Sequence, residues 1–267
     1  MVQNLGRNRI LWLLTASLSL ITALVGVFRP VIYDKVIDTD LMPGIFGQDL
    51  MTILASVSIL LLTLRIKDKD TKKQLVILGI IGYLFYAYGI YVIERVYTVL
   101  YFLYLAIFGL SFWSMVYSVA KIRQYIWQTL ELPKIIRNVS VGFSLLVALV
   151  FDALWLSQLW PLLQAGQKIE FLYSVYILDL CFIMPAFIFA AIMLARKQVL
   201  GLLLTPALFV LGFTLIFSLA VSETVKPLYG LAIETGGILP SIVLSVLFLI
   251  LAVFYLRNLQ IKAALSV

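Results

Sequence analysis

The sequence predicts an all-α membrane bundle of eight transmembrane helices, and three observations predict it. Hydrophobic residues make up 63% of the 267-residue chain and charged residues only 12%, against roughly 25% charged in soluble domains. The apolar residues come in long runs, of the order of the 20 residues that cross a hydrocarbon core about 30 Å thick. Lysines and arginines gather in alternate connections, which is how membrane topology distributes them.

The first span, 10–28, follows Arg7 and Arg9. Its apolar run is long and no A-x-A site follows, so it reads as a membrane helix rather than a cleaved signal peptide. An acidic connection carrying Asp34, Asp38 and Asp40 leads to span two, 48–64. The charged turn RIKDKDTKK precedes span three, 74–93. Glu94 and Arg95 mark a very short turn, where they are expected to form an interface ion pair, before span four, 97–120. Segment 121–137 is too charged to cross and too apolar to float free. It is expected to lie along the membrane surface with Trp127 as an anchor. Span five, 138–160, is expected to end at Pro161. Span six, 171–195, carries Asp179 in its apolar length. Its Pro185 cannot donate to the helix ladder and crowds the carbonyl of Cys181, which predicts a kink. The pairs Ala186/Ala190 and Ala191/Ala195 predict a close helix neighbour. Spans seven, 198–220, and eight, 238–256, complete the single membrane domain.

With the N-terminus in the cytoplasm, only Arg29, Lys35, Arg95, Lys168 and Lys226 of the 20 basic residues fall outside. This bias predicts both termini on the cytoplasmic face of a prokaryotic cell membrane. The net charge of +7 then reflects topology, and no nucleic-acid partner is expected beside the lipid bilayer. The acids run the other way: Asp68, Asp70 and Glu131 lie inside and the rest outside or in the outer parts of spans. That pattern reads either as a solvated acidic surface or as a vestibule that attracts cations. The chain has no histidine and a single cysteine, Cys181. Histidine-ligated haem or zinc and an intramolecular disulfide are therefore excluded. No cofactor is expected, no catalytic set such as HExxH or GxSxG occurs, and any metal would need an oxygen site. Oligomeric state has no signature in the sequence.

The two halves show weak echoes of a 4+4 parallel repeat. Spans one and five exit at Pro30 and Pro161, and Asp49 and Asp179 stand at similar distances before the basic turns at Arg65 and Arg196.

An aspartate at the centre of a membrane helix costs about 2.5–3.5 kcal/mol on insertion scales, and less toward the interface. Asp179 is therefore expected to face protein or a wet cavity. Asp152, in the neighbouring span, is expected at the same level, and two close carboxylates suit a proton or a cation. The alternative is that each aspartate only bonds neighbouring helices together. Asp49 and Gln48 open span two, and Tyr83, Tyr86, Glu94 and Tyr101 belong to the tyrosine-rich stretch of spans three and four. These residues read either as an aromatic belt with core packing or as a phenol-lined mouth for an organic cation. The function expected is a small permease or ligand-binding membrane protein with an outward acidic, tyrosine-rich pocket for a proton or cation. A membrane enzyme acting on lipid, or an accessory subunit of a membrane complex, are the alternatives.

The stretches PGIFGQDL (Pro43 to Leu50), GYLFYAYGIY (Gly82 to Tyr91), LYLAIFGLS (Leu103 to Ser111) and YILDLCFIMPAF (Tyr176 to Phe187) carry a resemblance over most of the chain. The sequence resembles a group of uncharacterised bacterial and archaeal multi-pass membrane proteins. The resemblance implies a shared fold, carries no substrate, and singles out Gln48, Asp49, Tyr83, Tyr86 and Asp179.

Overall fold

The computed structural model describes residues 5–67, 70–122, 129–167 and 172–262. Among them are eight helices long and apolar enough to cross a membrane. The first half comprises α1 (Leu5–Phe28), two 3-10 turns (Pro30–Tyr33 and Thr39–Leu41), α2 (Met42–Arg65), α3 (Thr71–Ile93) and α4 (Tyr101–Ile122). The second half comprises β1 (Thr129–Glu131), α5 (Lys134–Ala165), α6 (Tyr173–Leu178), a π-helical turn (Asp179–Ile183), α7 (Met184–Ala195), α8 (Val199–Val225), a 3-10 turn (Lys226–Tyr229), α9 (Thr235–Asn258) and β2 (Gln260–Lys262). The segments α6, π turn and α7 form one span, so the expected all-α bundle of eight spans stands.

Lipid tails are as apolar as leucine, so helices in a bilayer associate through close packing and polar contacts rather than through hydrophobic drive. Small residues let the backbones approach. In the first half α1 packs on α2 and α4, and α3 on α4; in the second α5 packs on α7, α7 on α8 and α8 on α9. The halves meet where α3 crosses α8, flanked by α2 on α8 and α6 on α3. Accordingly α3 and α8 are the most buried spans, at 72% and 61% of their apolar windows. Gly79 makes the crossing possible: a Cβ there would stand 2.4 Å from the Ala207 carbonyl oxygen and 2.7 Å from Val210 Cβ. The expected small-residue contact of the sixth span is present in Ala190 and Ala191, both buried. On α1, Thr15, Ser19 and Thr22 are buried and donate to carbonyls of their own helix, while Ser17 is exposed.

Several boundaries differ from the expected ones. Helix α2 starts at Met42, before residue 48, because Pro43 sits in its first turn where its missing amide costs nothing. Helix α4 starts at Tyr101 rather than 97. Pro161 does not end α5. A proline removes one helix hydrogen bond without forcing a stop, and the chain turns only at Gly166, whose φ of 63° lets its amide bond the Leu162 and Leu163 carbonyls. The distortion expected from Pro185 takes the form of the π turn just before it. There the Met184 amide bonds the Asp179 carbonyl five residues back, and the wider turn relieves the crowding a proline imposes. Trp127 and residues 123–128 of the expected surface segment lie outside the described residues.

Two ends can be named by their charges. The basic end carries Arg65, Lys72, Lys134, Arg137, Arg196 and Arg257 beside the chain connections there. At this end β1 pairs antiparallel with β2, Thr129 opposite Lys262, Leu130 opposite Ile261 and Glu131 opposite Gln260. The acidic end carries Asp34, Asp38, Asp40, Glu94, Glu223 and Glu234.

Candidate functional site

Asp179 begins the π turn, so the one irregular stretch of the sixth span places its carboxylate. The group is 6% exposed. Its Oδ2 accepts a 2.7 Å hydrogen bond from the Trp155 indole N–H on α5, and Tyr86 on α3 stands near enough to act on it electrostatically. A carboxylate offers about four acceptor sites, so the Trp155 donor leaves it with unused capacity. That capacity faces a cavity of about 660 Å³ between the two halves, within the range of about 300–1,000 Å³ that small-molecule pockets occupy.

The cavity is layered. At the acidic end its mouth is lined by Asp38, Asp40, Glu94, Glu223 and Lys226. Asp38 and Asp40 are exposed there. Lys226 is held by Glu223 at 2.9 Å and Glu234 at 3.6 Å. The middle layer holds Asp179, Trp155 and Tyr86, with Gln48, Tyr83 and Ser218 across from them. Gln48 donates to the Ala87 carbonyl at 3.1 Å, and Tyr83 donates to the Gln48 carbonyl at 2.9 Å. The floor is apolar: Val147, Ile183, Met184, Phe187, Leu211 and Phe248. Gly212 makes room for it, since a Cβ there would stand 2.5 Å from the Phe248 ring.

Asp49 has a different setting. It is 2% exposed and does not line the cavity. Tyr91 donates to Oδ1 at 2.8 Å and Tyr33 to Oδ2 at 2.9 Å. Gly26 on α1 presses on the same oxygen, so closely that a Cβ would stand 1.9 Å from it. Tyr104 lies 3.4 Å from the Tyr33 hydroxyl, its ring 4.8 Å from that of Tyr91, and Tyr88 bonds Thr22 and the Ser19 carbonyl. Burial first, and the Asp49 carboxylate second, raise the Tyr33 phenol well above its usual range, so it remains a protonated donor at neutral pH. Hydrogen bonds to a charged group contribute about 1.5–3 kcal/mol each. Two of them offset the insertion cost of about 2.5–3.5 kcal/mol for an aspartate at a helix centre. Asp49 therefore needs no ligand.

Four of the expected placements are corrected. Asp49 is not at the pocket mouth, because α2 starts earlier and the 30–41 connection covers it. Asp152 is only half-buried and shares no hydrogen bond with Asp179. It stands near enough for its charge to act on Asp179, but Trp155, one turn further on α5, occupies the facing position. Glu94 makes no ion pair with Arg95: its Oε1 accepts the Ser174 amide at 2.7 Å and caps the start of α6. Tyr101 is remote from the cavity and donates to the Val92 carbonyl at 3.2 Å, bracing the turn between α3 and α4. The structure brings together Asp179, Tyr86, Gln48, Tyr83 and Glu94 around the cavity.

Sequence reasoning missed Trp155, Gly212, Phe248 and Lys226. Trp155 carried a usable signal, three residues after Asp152 on the same helical face. The others reach the cavity from α8, α9 and the turn between them, which no local spacing links to α6. Among the described residues, no three of the side chains Cys, Asp and Glu group closely enough to hold a metal ion. Comparison of the chain with protein-family models, curated proteins and solved structures finds no match.

Proposed function

We propose that the chain is a small permease or ligand-binding membrane protein whose cavity holds a cation on Asp179. The observation that carries this reading is the partly satisfied carboxylate of Asp179 on the wall of a cavity of about 660 Å³. Among the described residues the mouth adds Asp38, Asp40, Glu94 and Glu223 against one lysine already bound to two glutamates. Such a lining draws in cations and repels anions. The distribution of basic residues supports an orientation with the acidic end outside a prokaryotic cell membrane and both termini in the cytoplasm.

Thermal melting of the purified protein in a non-ionic detergent, with monovalent cations, small amines and matched anions, tests the reading. Cation binding raises Tm with concentration, as any ligand selective for the folded state does, and Asp179→Asn abolishes the rise. A cation response that survives Asp179→Asn, or a response to anions alone, rejects it.

A further inference from the structure

We propose that the cavity takes an amphiphilic amine, with its ammonium on Asp179 and its apolar tail in the chamber beneath. The inference rests on the cation reading above and names the ligand class. Phe187 lies eight residues beyond Asp179 on the same span, about 12 Å along the axis. The lining on the Phe187 side includes Val147, Ile183, Met184, Leu211 and Phe248, all apolar. A small hydrated ion gains nothing from such walls, whereas an alkyl or aryl tail buries itself there. Trp155, the donor to Asp179, and Tyr86, which lines the cavity beside it, also set aromatic rings near the place of the ammonium, where cation–π attraction adds to charge pairing. The carboxylate thus stands at the boundary between a polar upper half and an apolar lower half.

The test compares sodium, ethylamine, butylamine, octylamine, octanol and octanoate by Tm shift on the full-length protein in lipid nanodiscs. The expected result is a shift for the amines that grows with chain length, by about fourfold in affinity per methylene. Octanol and octanoate produce none. Asp179→Asn lowers octylamine affinity by about thirtyfold or more, the usual loss on breaking a buried charge pair. Tyr86→Phe, which removes the hydroxyl and keeps the ring, leaves the chain-length trend in place. Ethylamine acting as strongly as octylamine overturns the amphiphilic inference while leaving the cation pocket standing. Octanol acting as strongly as octylamine overturns it as well, and no response to any amine or inorganic cation overturns both.

A different set of observations supports a second inference: we infer that the chain is a tandem duplication whose halves face each other across a pseudo-two-fold axis along the bundle. Helix α2 begins at Met42 and α6 at Tyr173; β1 begins at Thr129 and β2 at Gln260, and both pairs are 131 residues apart. In each half the third span is the most buried, then the second, first and fourth. In an isologous contact residue i meets j and j meets i. The β1–β2 register obeys this rule about its central pair, Leu130 and Ile261, which are also 131 apart. Gly79 packs on Val210, the residue 131 positions later. Gly47 packs on Ser222, and its counterpart Leu178 packs on Gly89, within two residues of the position the axis demands. The flanking contacts α2–α8 and α6–α3 exchange under the same operation.

A permuted chain tests this. It begins at Lys134, runs to Lys262, crosses through Leu-Pro-Lys-Ile and continues from Leu5 to Pro133. The axis makes this join equivalent to the native Leu132–Ile135 segment that leads from β1 into α5, so the permutant folds as a monodisperse protein with parental Tm. A permutant that folds only with a long flexible join, or with neither, overturns the duplication.

Discussion

Asp49 and Asp179 stand on the second spans of the two halves, both nearly closed off from solvent, yet their surroundings differ in kind. Asp49 has each oxygen taken by a tyrosine hydroxyl and a glycine pressed against it. Asp179 has a bond from Trp155 on one side and a cavity on the other. Burial cost by itself cannot tell a structural carboxylate from a ligand-facing one, since both have been removed from water. What separates them is whether the acceptors are used up and whether space remains beside them. Asp49 ties α1, α2, α3 and the 30–33 turn into one unit, while Asp179 sits where two units meet.

The largest expected effect breaks the closed side. Gly26→Ala forces a methyl into the Asp49 carboxylate and the Tyr33 hydroxyl, and should cost about 3 kcal/mol, the upper end for overpacking. Thermal unfolding in detergent reads it, and a variant as stable as the parent would mean that α1 and α2 separate freely. Next comes Tyr33→Phe, which leaves Asp49 Oδ2 without its donor and should cost about 1–3 kcal/mol. Combined with Tyr91→Phe it should give a non-additive loss, since both act on one group; strict additivity would show that the two tyrosines do not share a carboxylate network. Asp179→Asn should move stability by less than about 1 kcal/mol, because an amide keeps an acceptor for Trp155 and faces open space. A loss as large as that of Tyr33→Phe would erase the contrast between the two aspartates.

The smallest effect serves as a baseline away from both. Asp70, at the basic end, accepts 2.9 Å and 3.2 Å hydrogen bonds from Lys73 Nζ and the Lys67 amide. The Lys73 bond, then the Lys67 amide, hold its carboxyl below the usual value of 3.8. A lowered folded-state pKa contributes stability above the unfolded value and loses it as pH falls through the folded one. Melting followed from neutral pH into the acid range should therefore show a slight drop that Lys73→Met makes smaller. A drop larger in Lys73→Met than in the parent would contradict the pairing.

Much of the fold was legible because lipid simplifies the problem: apolar runs long enough to span must be helices, and eight of them stood out. Local punctuation was less reliable. Pro43 opened a helix early, Pro161 failed to close one, and Pro185 widened a turn, because each proline's effect depends on which carbonyls its neighbours leave unpaired. Of the candidate site, Asp179, Tyr86, Gln48, Tyr83 and Glu94 were found from cost and placement. Asp152 was nominated in the position that Trp155 fills, since level matching across a hairpin gives height but not azimuth.

The residue pattern by itself determined the membrane class, the number of spans, the segregation of acid from base and the two costly aspartates, because each follows from transfer free energies summed along one chain. Only the tertiary structure decided which aspartate would be sealed and which would face a cavity. That choice depends on what α1, the 30–33 turn, α3, α5, α8 and α9 bring alongside: a glycine and tyrosines beside Asp49, an indole and an apolar chamber beside Asp179. Those neighbours come from distant parts of the sequence, and their azimuths are set by how small residues let the helices cross.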